Sequence, residues 1–297
     1  MIRDAFQRFV LIALALLIGR TVGPAQASSE APKLVVESFT ISGTRSIATA
    51  ELGEITGSMV GSEFQDSSDE LKERIRSQFQ DHGFLTADIK GLDIKVLDPL
   101  ASPRPIRLEA DVEEGPRCRF SRIEFTGNHL FSSDELRAKF PVKAGEEFRV
   151  SKVRSGLEST MRLLRSKGFL DSFVAPDTKI DSSSSVKLAI DVHEGPQYRM
   201  GRLEVLGPTE AEDRLKMGWK LSQGAVFNAN YIDTFLQKNN SLLPSDFTRY
   251  NNGVDLFKDC SDHTVDVHLH LNKDPQHSLA DDGKRVDCSS PEETGKK

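Results

Sequence analysis

The tetrapeptides Glu113-Glu114-Gly115-Pro116 and His193-Glu194-Gly195-Pro196 decide the fold of this chain, because they close two copies of one pattern 80 residues apart. Before each tetrapeptide apolar residues alternate with polar ones, and a third alternating run ends at Asp274-Pro275. Such alternation predicts β-strands that pack on one face only. The apolar members are Ile106, Leu108, Ala110 and Val112, then Val186, Leu188, Ile190 and Val192, then Val265, Val267, Leu269 and Leu271.

The starts of the copies also align. Short apolar strands end at Gly43, Gly127 and Gly207, and glycine can adopt the positive φ that a tight turn needs. A helix-start signal follows each glycine, and then a loop that ends in an aromatic residue and a second, longer helix. The start signals are Thr49 with Glu51, Ser132 with Glu135 and Thr209 with Glu212, and the last two have the spacing of a capping box.

Each copy therefore reads strand, helix, helix, strand, strand over about 80 residues. The sequence predicts an α+β fold of three tandem βααββ modules, each a three-stranded mixed sheet covered by two helices. The predicted modules span 34–116, 117–196 and 197–275. Their middle strands are predicted at 89–97, 173–180 and 247–257.

The two ends of the chain have different compositions from the repeats. Arg3 and Arg8 precede the apolar run 9–18, and Ala25-Gln26-Ala27 follows it, which predicts a signal peptide over 1–27 and an exported protein. The alternative is an uncleaved anchor, but this run is short against the ~20 residues that cross a bilayer. The tail 276–297 is rich in Asp, Ser, Glu, Gly and Lys and is predicted to be disordered.

Composition and motifs argue against several classes of protein. The net charge of −6, mixed in sign, is unlike the strongly basic surface of a nucleic-acid-binding domain. The sequence contains no Gly-x-Ser-x-Gly, His-Glu-x-x-His or phosphate-binding glycine loop, so we expect neither catalysis nor a cofactor. An enzyme whose site is assembled from distant residues is the rival class.

The three cysteines are too few for a disulfide framework. Cys260 and Cys288 can pair in an oxidising compartment, which would leave Cys118 over, and the sequence leaves this pairing open.

His268 and His270 alternate with apolar residues on the last predicted strand, beside Asp266. Two histidines and a carboxylate can bind zinc. The same face of the second copy carries ordinary polar residues, so a solvated face is the favoured interpretation and no metal is expected.

The βααββ order, Gly127-Asn128 after a first strand, Lys167-Gly168-Phe169 at a helix end and the closing Glu-Gly-Pro resemble the polypeptide-transport-associated (POTRA) domain. In that family such domains form the periplasmic part of the central subunit of the outer-membrane barrel-assembly machinery and of its translocation relatives. The resemblance is specific in the second module and weakest in the third. Only 22 residues follow Pro275, too few for a barrel of eight strands, so we expect the family's binding role without its insertase activity.

A sheet covered on one face keeps an open edge, to which an extended polypeptide can add a strand. The resemblance implies that the middle strand forms this edge. One alternative is that Lys90, Lys95 and Pro176 protect these edges against pairing. Another is that the protein is an adaptor that docks onto a separately encoded barrel or envelope complex. The candidate binding residues are Ile89, Ile94 and Val96 in the first module and Phe173, Val174 and Ile180 in the second.

Charge is unevenly divided among the modules. Residues 33–116 carry a net charge of −7, 117–196 carry +3 and 197–275 carry −2. Arg154, Arg162 and Arg165 make the second helix of the middle module a candidate docking face for anionic lipid headgroups or an acidic partner. The alternative is a solvated helix in which Glu158 pairs with arginines four residues away.

Overall fold

The computed structural model describes residues 33–181, 183–247 and 253–271. In this part of the chain six α-helices accompany three separate mixed sheets, which confirms the α+β fold of tandem modules. None of these helices is long and apolar enough to span a membrane. The predicted signal peptide 1–27, the tail 276–297 and Cys288 lie outside the described residues.

The elements follow the predicted order in each module. The first module contains β1 (Leu34–Ser42), α1 (Thr49–Gly57), β2 (Glu63–Phe64), α2 (Ser68–Asp81), β3 (Asp88–Val96) and β4 (Arg104–Glu113). The second contains β5 (Arg119–Thr126), α3 (Ser133–Arg137), α4 (Val150–Ser166), β6 (Phe173–Ile180) and β7 (Ser185–His193). The third contains β8 (Arg199–Leu206), α5 (Thr209–Gly218), α6 (Ala229–Lys238), β9 (Val254–Asp259) and β10 (Thr264–His270).

The last strand of each module runs next to both of the others. It is parallel to the first strand and antiparallel to the middle strand, so the middle strand lies at an edge of its sheet. The first sheet has four strands rather than the predicted three, because Glu63–Phe64 pairs with β1. At the corresponding places Glu147 and Val226 form only single bridges, with Arg119 and Arg199, so no additional strand is assigned there.

The middle strand of the third module differs from the prediction of 247–257. It occupies Val254–Asp259, while the Phe247 N–H donates to the Pro244 carbonyl at 2.9 Å in a turn. Phe247 instead packs, half-buried, against the third core, so its apolar character reflects core packing outside the strand. Residues 248–252 of the predicted strand lie outside the described residues.

Each module has its own apolar core between its sheet and its helices. The twelve alternating residues of the last strands are all buried, as their pattern predicts. The capping box of Ser132 and Glu135 is confirmed. The predicted cap at Thr209 is wrong, because the residue that precedes the helix is Pro208, which is extended at φ −62°. The Pro208 carbonyl accepts the first helical hydrogen bond, from the Glu212 N–H at 3.0 Å.

Two of the three strand-ending glycines adopt the predicted positive φ. Gly43 has φ +83° and Gly127 has φ +72°, and a Cβ on Gly127 would lie 2.4 Å from the Val192 carbonyl oxygen. Gly207 does not have a positive φ. A Cβ there would lie 2.6 Å from Leu271 Cβ, so this glycine permits close packing instead.

The repeated Glu-Gly-Pro tetrapeptide fastens the loop that follows the first strand. Glu114 and Glu194 are buried, and each carboxylate accepts hydrogen bonds from backbone N–H groups of that loop. Glu114 accepts from Ser46 and from Ile47, the latter at 3.2 Å, and Glu194 accepts from Leu130 at 2.9 Å.

Successive modules are joined by the same backbone hydrogen bond. Gly83 and Gly168 end the second helices of the first two modules, and both have φ +86°. The Gly83 carbonyl accepts from Cys118 N–H, and the Gly168 carbonyl accepts from Tyr198 N–H, each at 2.8 Å. The sequence repeat is therefore also a repeat of the joint between modules.

Side chains reinforce the first joint. Arg117 donates to both carboxylate oxygens of Glu51, at 2.6 and 3.1 Å, and forms an ion pair with Glu147 of the second module at 3.0 Å. The same guanidinium lies over the Phe84 ring, 4.7 Å from its centroid. The hydrogen bond from Arg117 outweighs partial burial and holds the pKa of Glu51 below its ordinary value.

The second joint uses different side chains. The Tyr198 hydroxyl donates to Asp171 of the second module at 2.6 Å, and Lys258 pairs with the same carboxylate. The pKa of Tyr198 is raised, mainly by burial and secondly by the hydrogen bond to Asp171. The Asn230 side chain on α6 donates to the Arg162 carbonyl on α4 at 2.9 Å, so the helices of the two modules are also connected.

Candidate functional site

The edge strands of the first and second modules differ in how well the neighbouring helix covers them. Their registers against the central strands make Leu92 equivalent to Pro176 and Ile94 equivalent to Thr178. Leu92 and Ile94 pack, half-buried, against the first core, whereas Pro176 and Thr178 are exposed. The smaller side chains of β6 do not reach the helix beside them, so a gap remains between α4 and β6.

This gap is an apolar groove of about 440 Å³. We call it the α4–β6 groove. Most of its wall is aliphatic or aromatic, which suits an extended chain that presents apolar side chains. The lining consists of Gln80 and Leu85 from the first module, Phe148, Val150, Val153, Arg154 and Leu157 around α4, and Pro176, Thr178 and Ile180 of β6.

The backbone of β6 offers free hydrogen-bonding groups beside this groove. The Asp181 N–H donates to the Ser185 carbonyl at 3.1 Å, towards β7. The backbone N–H and C=O groups of the odd-numbered residues of β6 therefore also face β7. In an antiparallel pair the N–H and C=O of one residue point to the same side, and successive residues alternate. The groups that face away from β7 therefore belong to Val174, Pro176, Thr178 and Ile180.

Pro176 interrupts this free edge. Proline has no N–H, and within sheets it is confined to positions where that group would face solvent. Three outward N–H groups remain, at Val174, Thr178 and Ile180. The outer edge of β6 is therefore protected against pairing only in part. It is neither fully open nor fully blocked, the two alternatives that the sequence suggests.

The three predicted residues of β6 do not share one environment. Ile180 is 39% exposed and lines the groove, and Val174 packs, half-buried, against the second core. Phe173 points to the other face of the sheet, is 53% exposed and stacks on His193 with ring centroids 4.7 Å apart. Of these three predicted residues, Ile180 is the one that presents both a side chain and an outward backbone N–H to the groove.

The predicted residues on β3 are less available. Ile89 is buried, Ile94 is half-buried and Val96 is exposed. Lys90 forms ion pairs with Asp88 and Glu113, both at 2.9 Å, and Lys95 with Asp93 and Glu109. The hydrogen bonds from Lys95 to Glu109 and Asp93 raise the pKa of Lys95.

The three arginines of the predicted basic face are all exposed on α4 but have different surroundings. Arg162 lies 3.9 Å from Glu158, which confirms one of the two predicted i,i+4 contacts. Among the described residues no carboxylate lies within 4 Å of the guanidinium of Arg154 or of Arg165. Arg154 also lines the α4–β6 groove, whereas Arg162 and Arg165 do not.

His268 and His270 are less solvated than predicted, with side chains only 13% exposed. His268 Nε2 lies 3.5 Å from Glu204, and His270 Nε2 lies 3.0 Å from Asp255. Phe257 packs on the His268 ring at a centroid distance of 4.4 Å, which accounts for its burial. Asp266 instead accepts from the Arg202 N–H at 2.6 Å, and no group of three metal-ligating side chains occurs in the described ranges.

Cys118 is a free, buried thiol at the first joint, and burial raises its pKa. Cys288, which could pair with Cys260, lies outside the described residues.

The contribution of the first module to the groove is not predicted from the sequence. Leu85 lies just beyond the Gly83 stop, and Gln80 is in the last turn of α2. The available signal was the apolar Phe84-Leu85 pair after that glycine, of which Phe84 enters the first core and Leu85 packs against the second. The groove therefore depends on how the two modules are joined.

Comparison with known proteins agrees with this architecture. The POTRA family, described as surface antigen variable number repeat, matches residues 118–195. A solved structure of POTRA domains 3–5 of BamA from Haemophilus influenzae has a TM-score of 0.58 at 18% identity, covering 82% of this chain and 96% of that chain. At this identity the likeness concerns the fold.

Two curated proteins are similar over part of the sequence. A candidate outer membrane protein assembly factor of Treponema pallidum is 22% identical over 161 residues, 53% of this chain. The outer membrane protein assembly factor BamA of Neisseria meningitidis serogroup B is 24% identical over 116 residues, 35% of this chain. The matches cover 19% and 14% of the lengths of those relatives. The chain is therefore similar in fold to the POTRA domains of BamA, and its match to the POTRA family lies in the second module, over residues 118–195.

Proposed function

We propose that this chain is a periplasmic interaction protein of outer-membrane protein assembly, and that it binds extended polypeptides by strand addition at β6. The observation that carries the proposal is that the partly free edge of β6 borders the apolar α4–β6 groove. Main-chain hydrogen bonds supply affinity in this mode of binding, and the groove supplies preference for side chains.

The place of action rests on two supports. The sequence 1–27 has the plan of a signal peptide, and two similar curated proteins carry the name of outer membrane protein assembly factors. A protein exported in this way meets unfolded outer-membrane polypeptides while their strands are unpaired. Binding through three backbone N–H groups is weak enough to release such clients again.

The proposal is tested by substituting Thr178 with proline in the full chain. Thr178→Pro removes one outward N–H that makes no bond to β7, so the sheet keeps its own ladder. Because each hydrogen bond is worth about 1 kcal/mol, we expect at least about five-fold weaker binding of an extended apolar peptide. Titration of the peptide followed by amide chemical shifts gives the affinity.

Val96→Pro is the matched control for this substitution. Val96 is exposed at the edge of β3, where the Leu97 N–H donates to the Pro105 carbonyl, so the N–H of Val96 also points outward. Unchanged binding by Val96→Pro, together with loss in Thr178→Pro, supports the assignment to β6. Equal effects of both substitutions would place binding elsewhere and end the proposal.

A second candidate function is that of an adaptor docking onto a separate barrel or envelope complex. The observation that favours it is the similarity of this chain to proteins that carry the name of outer membrane protein assembly factors. Affinity purification of the full chain from envelope fractions separates the two functions. One stoichiometric partner supports the adaptor, whereas a spread of unfolded polypeptides supports the binding of clients.

A further inference from the structure

We infer that Arg154 makes the α4–β6 groove selective for segments that carry an aspartate or glutamate among their groove-facing side chains. This inference rests on the proposed strand addition at β6, and it names the class of segment that the groove prefers. Among the residues that the structure describes, Arg154 is the one cation in the lining of this largely apolar groove.

Arg154 has no carboxylate within 4 Å of its guanidinium among the described residues. Four other basic residues nearby, Arg117, Arg149, Lys152 and Arg162, each lie within 4 Å of a carboxylate. Glu158, one turn beyond Arg154, is placed against Arg162 instead. Within the described ranges Arg154 therefore keeps its guanidinium available for a carboxylate that arrives with a ligand.

A strand that binds in the α4–β6 groove changes the surroundings of Arg154. A bound strand removes water from the apolar wall around Arg154, and a charge that loses water without gaining a partner is destabilising. A carboxylate on the bound strand restores the lost interaction and can form the paired hydrogen bonds that suit a guanidinium. A purely apolar strand must leave Arg154 uncompensated or push it aside.

The position of Arg154 along the helix indicates which carboxylate it meets. Val150 and Leu157 line the groove on either side of it, about 6 Å and 4.5 Å away along the helix axis at the rise of 1.5 Å per residue. Arg154 thus lies within the length of the groove. A strand that pairs with β6 passes this point, so the carboxylate belongs to a side chain inside the segment and not to its C-terminus.

The alternation of a strand then defines the preferred pattern. Successive side chains of an added strand point to opposite faces of the sheet, so only every second residue enters the groove. The preferred segment has apolar residues at these alternate positions, with one acidic residue among them. The intervening residues face the other side of the sheet and are unconstrained by Arg154.

The test uses ten-residue peptides in which valine alternates with serine, acetylated and amidated at their ends. One central valine is replaced by glutamate, glutamine or lysine, and each peptide is titrated into the full chain with amide shifts of residues 173–180 as the readout. We expect the glutamate peptide to bind about five-fold more tightly than the glutamine peptide at low salt, and the preference to shrink as salt is added.

Charge reversal at the arginine sharpens the result. Arg154→Glu is expected to favour the lysine peptide over the glutamate peptide, while Arg154→Ala removes the preference. Arg165→Ala is the matched control, since Arg165 is exposed on the same helix, has no carboxylate within 4 Å among the described residues and does not line the groove. It is expected to keep the wild-type preference.

The outcomes distinguish this inference from the function on which it rests. If all the peptides bind with equal affinity, the role of Arg154 is overturned and strand addition at β6 stands. If none binds at millimolar concentration, the proposed function itself fails. If only a peptide with a free C-terminal carboxylate gains affinity through Arg154, the inference of an internal acidic side chain is also overturned.

Discussion

The side chain of Asp81, at the end of α2, accepts a hydrogen bond from the backbone N–H of Ser151, in the first turn of α4, at 2.8 Å. The two residues belong to different modules. The residue before α4, Arg149, makes no side-chain cap of its own, so the first module supplies the cap for this helix of the second module. Helix α4, which lines one side of the α4–β6 groove, is thus stabilised partly by a residue of the first module.

Asp81→Ala is expected to fray the start of α4. Loss of a helix cap costs about 1 kcal/mol, which corresponds to roughly five-fold faster hydrogen exchange at the Ser151 amide. Exchange in the full chain, read by NMR, measures this directly. Asp81→Asn retains an acceptor oxygen and should exchange nearly as the wild type does; if Asp81→Ala does the same, the cap does not stabilise α4.

Arg117→Ala is expected to loosen the first joint and leave the second intact. Charge-assisted bonds are worth about 1.5–3 kcal/mol, and partial exposure of Arg117 reduces this to about 1–2 kcal/mol. The Cys118 amide, whose bond to Gly83 forms the joint, should therefore exchange about ten-fold faster, while the Tyr198 amide at the second joint is unchanged. Arg122→Ala, which removes an exposed ion pair with Glu124, is the control and should alter neither amide.

Glu114→Gln is expected to destabilise the first module in a pH-dependent way. Burial would raise the pKa of Glu114, but the hydrogen bonds from Ser46 and its neighbours outweigh it and lower the pKa. A lowered pKa in the folded state means that the ionised carboxylate stabilises the fold above the unfolded pKa and loses this effect as the pH falls. The variant should be less stable by about 1–3 kcal/mol at pH 7, and the difference should shrink towards pH 3.

Urea unfolding followed by circular dichroism at the two pH values measures this difference. Glu37→Gln, on an exposed part of β1, controls for the loss of a negative charge. A difference that stays constant between pH 7 and pH 3 would contradict the role assigned to the Glu114 carboxylate.

Gly156→Ala and Gly53→Ala are expected to change stability in opposite directions. Both glycines lie inside helices, where alanine is preferred by about 0.5–1 kcal/mol. A Cβ on Gly53 meets nothing within 4 Å, so the gain is realised. A Cβ on Gly156 would lie 2.2 Å from the Phe140 ring, and the overpacking should cost about 1–3 kcal/mol. Thermal unfolding compares the two variants, and stabilisation by Gly156→Ala would show that α4 can move away from Phe140.

Local patterns in the sequence predicted the elements because their cause is local. The alternation in β7 and the capping box at Ser132 each depend on residues a few positions apart, and the structure confirms both. The third middle strand was misplaced because Phe247 is apolar for packing, and periodicity does not distinguish core packing from pairing.

The site was predicted less completely because its parts meet only in three dimensions. The repeated Glu-Gly-Pro was recognised from the sequence, but the burial of Glu114 against a loop 67 residues away was not. The approach of Leu85 to α4 and the capping of α4 by Asp81 likewise follow from the joint between modules. The gap left by Pro176 and Thr178 became visible only when their register was compared with Leu92 and Ile94.

Hydrogen exchange along β6, in the presence of an extended apolar peptide, tests strand addition most directly. The N–H groups of Thr178 and Ile180 face away from β7 and should become protected when a strand is added, by about five-fold or more at saturation. Those of Ala175, Asp177 and Lys179 already bond β7 and should change little. Protection of the outward amides, without a change at Ala175, Asp177 and Lys179, is the expected result, whereas peptide binding that leaves Thr178 and Ile180 exchanging freely would contradict strand addition at β6.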